Sequence, residues 1–124
     1  MQHYDELARY ERNGFDVIVD KTWEDIDPRG QFEEDDLDEI VEKINNDTYE
    51  WFMLRVRVLF DGHEMGSHYL GGCLYEDARE VLTDGTAEDC IEEAMAEAKE
   101  EVQRLAGALW AQQMEMDYAD AQSV

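Results

Sequence analysis

Positive charge is what this chain has least of. Ten Lys and Arg stand against thirty-three Asp and Glu, a formal net charge of -23 over 124 residues. That imbalance disfavours nucleic acid and anionic membrane surfaces as direct partners, because both bind through Lys and Arg. Cysteine is nearly as scarce. Cys73 and Cys90 fit a pair of buried thiols in a reducing cytoplasm, with a disulfide between them as the alternative. The single proline, Pro28, leaves the rest of the chain free for regular structure. No apolar run approaches the ~18 residues of a membrane span. The N-terminal "MQHYDELARYERNG" is too polar for a secretory leader. A cytoplasmic domain is the expectation.

What is present is a core. Hydrophobic residues make up 44% of the chain, with three Trp, six Tyr and four Phe, unlike a disordered acidic tail. The length suits one domain, residues 1–124, able to bury roughly two-thirds of its unfolded surface without a metal or disulfide. The acids are spread along all of it. Met1 to Gly62 holds 18 acids and 7 bases, and the remainder 15 and 3. Self-repulsion on this scale opposes folding, and solubility alone needs far less.

Local patterns predict an α+β fold: a small antiparallel sheet of about three strands, with helices packed on it. Residues 4–13 read as a short helix with Gly14 as its stop. Phe15 to Val19 suits a strand. A helix starts at Asp35 or Asp36 as cap, with Leu37, Ile40, Val41 and Ile44 on one stripe. The central hairpin, residues 51–75, is the clearest signal. Phe52, Leu54, Val56, Val58 and Phe60 share one face, Arg55 and Arg57 point the other way, and Asp61-Gly62 makes the turn. Arg55 and Arg57 are expected to neutralise nearby acids. Gly71-Gly72 in the return strand implies a bulge or a close backbone approach. A long acidic helix opens at Thr86 as cap, with Asp89 completing a capping box. Its apolar stripe runs Ile91, Ala94, Met95, Ala98, Val102, Leu105, Leu109, and residues 117–124 form a frayed tail.

Motifs for chemistry are weak. "HEMGSH" (His63 to His68) puts two histidines five apart, where the zinc motif needs one helical turn. Asp25 to Asp36 overlays a calcium loop, but Arg29 takes a ligand position and Asp36 is too short for the bidentate Glu. Diffuse cation binding fits that loop better. "GGCLY" carries no nucleophile signature, even with His68 nearby. No cofactor, no metal and no catalysis are expected, and the protein reads as a non-enzyme.

The acidic surface is the distinctive feature, in two patches. One is Glu33, Glu34, Asp35, Asp36, Asp38, Glu39 and Glu42. The other is Asp89, Glu92, Glu93, Glu97, Glu100 and Glu101. Glu92 to Glu101 places five carboxylates on ~14 Å of helix, close to the ~3.4 Å spacing of phosphates along one DNA strand. Such a surface suits a basic groove built to track a nucleic-acid backbone.

Tyr49 to Asp77, "YEWFMLRVRVLFDGHEMGSHYLGGCLYED", resembles a segment of small acidic proteins encoded by bacteriophages and mobile elements, which join a Trp-Phe-Met strand, a "DG" turn and a "YLGGC" return strand. In size and charge the chain is also similar to anti-restriction and anti-CRISPR inhibitors, some of them DNA mimics. That resemblance implies a non-catalytic inhibitor in the host bacterial cytoplasm. It would bind the basic DNA-binding surface of a defence complex, a CRISPR surveillance complex first and a restriction enzyme second. The alternative is an acidic interaction domain that binds a basic protein or is adapted to high salt, with no inhibitory role. Oligomeric state, and whether the two patches share a face, stay open at this level.

Overall fold

The computed structural model describes residues 3–122, with the side chains of Glu34 and of residues 116–122 left out of the description. Four antiparallel strands form a meander in the order β1 (Tyr4–Arg12), β2 (Phe15–Trp23), β3 (Glu50–Phe60), β4 (His63–Tyr75). Helix α1 (Glu34–Asn45) lies in the β2–β3 connection. A 3₁₀ turn (Ala78–Leu82) leads into helix α2 (Thr86–Gln122). The architecture is α+β, as expected, with one strand more.

The added strand is β1, where a helix was expected. Leu7 and Tyr10 have helical spacing, but Asn13-Gly14 is the stronger signal. Both residues adopt positive φ (52° and 85°), the geometry of a tight turn whose twist matches two antiparallel strands. Gly14 therefore closes a hairpin rather than ending a helix, and Arg12 pairs with Phe15 across it. Asp61-Gly62 repeats the device between β3 and β4 (φ 50° and 79°).

The sheet has two unlike faces. On one, Val17, Val19, Leu54, Val56 and Val58 are wholly buried. Helix α2 packs on β3 and β4 with Ala87, Cys90, Ile91, Ala94, Met95 and Ala98, which join these residues in one core. Small residues set the closeness of that contact. A Cβ built on Gly66 of β4 would stand 2.3 Å from the Ala94 carbonyl oxygen and 2.8 Å from the Ala98 amide nitrogen. Phe60 stays half-exposed at the sheet's end, touching Phe15 edge-on with ring centroids 6.0 Å apart.

The helix ends differ from the expected caps. Glu33 precedes α1 without a side-chain cap, and Asp35 and Asp36 lie inside the helix. At α2, Thr86 is the first helical residue. Its amide donates to Asp84 Oδ1 (2.9 Å) and its hydroxyl meets the Tyr75 hydroxyl (2.9 Å). The Asp89 amide donates to the Gly85 carbonyl instead of closing a box with Thr86. Helix α2 also runs on to Gln122, through most of the expected tail. Residues 123–124 fall outside the described chain.

Only α2 packs broadly on the sheet. The stripe of α1 (Leu37, Ile40, Val41, Ile44) is half-buried, and none of its residues joins the core.

Candidate interaction surfaces

On α2 the packed positions leave one side of the helix to solvent, and there stand Asp89, Glu92, Glu93, Glu97 and Glu100, all exposed. Among the described residues, none of the five is in an ion pair. Glu101 differs. It is half-buried and takes a bidentate bond from Arg104 one turn on (Nε–Oε2 3.0 Å), which holds its carboxyl below the usual range. Glu33, just before α1, and Asp35, Asp36, Asp38 and Glu42 on it are exposed, while Glu39 pairs with Lys43 at 3.1 Å. Ten of the thirteen proposed carboxylates are thus exposed and unpaired, Glu39 and Glu101 are engaged by a base, and the Glu34 side chain lies outside the description. The two patches sit on elements that do not pack on one another.

Asp89, Glu92 and Glu93 also rim a recess of about 500 Å³ between α2 and β4, with His68 and Leu70 on its other side. A larger cleft of about 910 Å³ lies where β2 ends and β3 begins. Trp23, Tyr49 and Trp51 supply aromatic surface there, and Asp25, Asp47 and Glu76 supply charge. Carboxylates beside exposed ring faces favour cations over anions.

The loop beside that cleft is fixed by Glu24, which is buried and hydrogen-bonded. Its Oε1 accepts from the Ile26 amide (3.0 Å) and its Oε2 from the Gly72 amide (2.7 Å). This is the close approach expected at Gly71-Gly72. A Cβ on Gly71 would meet Glu24 Oε2 at 2.8 Å, Gly72 has φ 69°, and the β3–β4 register shifts here. Trp51 adds an indole bond to the Ile26 carbonyl (2.8 Å) and an aromatic contact with Phe32.

The open face of the sheet holds a buried ion cluster that sequence reasoning saw from one side only. Asp20, 3% exposed, receives both Arg55 donors (2.8 and 2.7 Å), with Arg57 at 3.5 Å. The Arg55 guanidinium also lies 3.4 Å from the centre of the Tyr4 ring. Arg55 and Arg57 do neutralise an acid, as expected. The alternation of β2 places Asp20 on their face, and Asp20↔Arg55 is a direct cross-strand pair. Reading β1 as a helix hid Tyr4.

Cys73 and Cys90 are both buried and free. Burial pushes the Cys73 thiol up to about 11 and raises Cys90 as well, so neither is a thiolate near neutral pH. "HEMGSH" runs as a strand, where the zinc spacing does not arise. Among the described residues, no group of three or more His, Cys, Asp or Glu side chains is placed to hold a metal ion. No described helix is long and apolar enough to cross a membrane. No protein-family model, curated protein or solved structure matches this chain.

Proposed function

We propose that this protein is a non-catalytic binding protein whose carboxylate-bearing helices occupy a basic groove on a partner, and that the groove is one that normally tracks a nucleic-acid backbone. A host defence complex, with a CRISPR surveillance complex ahead of a restriction enzyme, is the target class that fits. The observation that carries this reading is the unpaired acidic side of α2. Acids on a folded surface are ordinarily spaced among bases. Here five stand along one rigid rod with no base paired to them. Lys and Arg that line a nucleic-acid channel respond to charge density and spacing, and the release of their counterions would drive association.

Competition tests this directly. The protein is added to a DNA-binding surveillance complex with labelled target, and the shifted band is followed at two salt concentrations. Displacement that weakens as salt rises supports the reading. Replacing Asp89, Glu92, Glu93, Glu97 and Glu100 by Lys should abolish displacement while the circular dichroism spectrum stays unchanged. Inhibition that survives the reversal would sink the mimicry mechanism. Displacement of no nucleic acid from either class of complex would favour the second reading, an acidic domain for a basic protein partner. The acidic, aromatic cleft beside Trp51 is the observation that supports that alternative.

A further inference from the structure

Among the described residues, Trp23 is the most exposed of the large hydrophobic side chains, at 77%. Its place in the sheet makes that unusual. Register pairs Val17, Val19, Lys21 and Trp23 of β2 with Val58, Val56, Leu54 and Phe52 of β3. Alternation therefore keeps Trp23 on the face that elsewhere holds the core, where Val17 and Val19 are wholly buried. Trp23 is one wall of the 910 Å³ cleft, and Tyr49, Trp51 and Phe52 add further ring surface. Six carboxylates line that cleft against one lysine and one histidine. Both bases are already held, Lys21 by Glu50 and His3 by Asp5 at 2.9 Å. Glu24 is occupied by its two amide bonds. Asp25, Asp47 and Glu76 remain, exposed and, among the described residues, with no side-chain hydrogen bond or ion pair. None of the thirteen helix carboxylates lines this cleft.

The protein shows on its own lysines what such a surface holds. Inside the cleft the Lys21 ammonium, paired with Glu50, lies 5.9 Å from the centre of the Phe52 ring. The Lys43 ammonium lies 5.1 Å from the centre of the Tyr49 ring and pairs with Glu39. Each is an alkylammonium shared by a ring and a carboxylate. Tryptophan is the strongest ring for a cation, and Trp23 has no such occupant among the described residues. We propose that Trp23, with Asp25, Asp47 and Glu76, forms a binding site for an organic cation, an alkylammonium or alkylguanidinium group. The carboxylates draw the charged head and the ring takes the apolar stem. The volume suits such a guest, since small-molecule sites run from roughly 300 to 1,000 Å³. An anion is repelled, and a neutral apolar guest would strip water from the carboxylates without pairing them. A bare metal ion would make no use of the ring surface, and no three ligands are grouped for it among the described residues. Lysine or arginine side chains of a protein and free polyamines share the required chemistry. The site is separate from the helix carboxylates, so it holds whether or not they occupy a basic groove.

Nitrogen-15 NMR of the full chain tests this, because the three indole N–H signals report separate places. Trp23 and Trp51 line the cleft, whereas Trp110 stands on α2 outside it. The probes are spermidine and two capped peptides, otherwise neutral, carrying a single arginine or a single lysine. Magnesium at matched ionic strength is the control. A saturable shift of the Trp23 indole is expected, with Trp110 unmoved and no such shift from magnesium. Trp23→Leu changes no charge, and its exposure means the far-ultraviolet spectrum should stay the same. By calorimetry it should weaken binding at least fivefold, as should the combined Asp25→Asn, Asp47→Asn and Glu76→Gln protein. Saturable binding of either peptide supports the site and assigns it to protein side chains. Binding of spermidine alone supports it and assigns it to a free polyamine. Binding indifferent to Trp23→Leu would mean that the overall negative charge holds the cation, and overturns the proposal. So does the absence of a saturable shift with every probe. Trp23→Leu should leave any displacement of nucleic acid unchanged, which keeps this site and the proposed function separable.

Discussion

The two ends of α2 are built from similar sequence and meet opposite fates. In the inner part, Ile91, Ala94 and Ala98 are buried against β3 and β4. In the outer part, Leu105 and Leu109 prolong the same apolar stripe into solvent. The difference lies beneath the helix. Ala98 is the last helix residue in the buried core, and Val102 and Leu105 beyond it are 37% exposed. A hydrophobic period thus states which side of a helix wants cover, not whether the fold supplies it. The charge distribution agrees with the division. Acids crowd the solvent side of the part that the sheet already anchors, and from Val102 to Met114 there is none.

The sharpest way to break this comparison is to shorten a side chain at each end. Ile91→Ala removes a wholly buried side chain between sheet and helix, and should cost about 2–5 kcal/mol in urea unfolding. Leu109→Ala, measured at a concentration low enough to exclude self-association, should stay within about 0.5 kcal/mol of wild type. Equal costs at the two positions would mean that the outer segment folds back on the body.

The same contrast shows what was legible in the sequence. The β3–β4 hairpin was, because strict alternation from Phe52 to Val58 and an Asp-Gly turn point to one structure. The bulge at Gly71-Gly72 was too. The first strand was not, because Leu7 and Tyr10 fit a helical period and Gly14 suits a helix stop as well as a hairpin turn. Asp20 escaped because a lone acid in a short strand has no visible partner until register places Arg55 beside it. The acidic patches were legible as residue sets. That Glu39 and Glu101 are engaged by Lys43 and Arg104 follows from i,i+4 and i,i+3 geometry that charge counting ignores. The exposed end of the α2 stripe was invisible, since periodicity carries no information about how far a sheet extends.

Glycine gives a second test, smaller and of opposite sign at the two ends. Gly66→Ala drives a methyl into the backbone of α2 at Ala94 and Ala98, which cannot withdraw without lifting the helix. A loss of about 1–3 kcal/mol is expected. Gly107→Ala meets nothing within 4 Å and replaces a poor helix former in an exposed turn. It should favour the helix by about 0.5–1 kcal/mol, seen as slower amide exchange around residue 107. Destabilisation at both positions would mean that the outer segment has a close neighbour within its own chain.

The smallest effect expected is electrostatic. Arg12, at the end of β1, grips Glu88 on the inner end of α2 with two bonds of 2.7 and 2.8 Å. It thus ties the first hairpin to the helix, whereas Arg104–Glu101 joins only neighbouring turns. The Arg12 bond holds the Glu88 carboxyl below its ordinary value, and hydrogen bonds from the Tyr75 hydroxyl and Thr86 do the same for Asp84. A depressed carboxyl stabilises the folded state fully above its unfolded pKa of about 4.3, and that contribution is lost as pH falls through the folded value. Both groups are largely in solvent, so screening keeps the contribution near the 0.2–1 kcal/mol of exposed pairs. Glu88→Gln should therefore be less stable than wild type by about that amount at pH 7. The two stability curves should converge once pH drops below the ordinary carboxylate range. A deficit that persisted in acid would show that Glu88 acts through packing rather than charge.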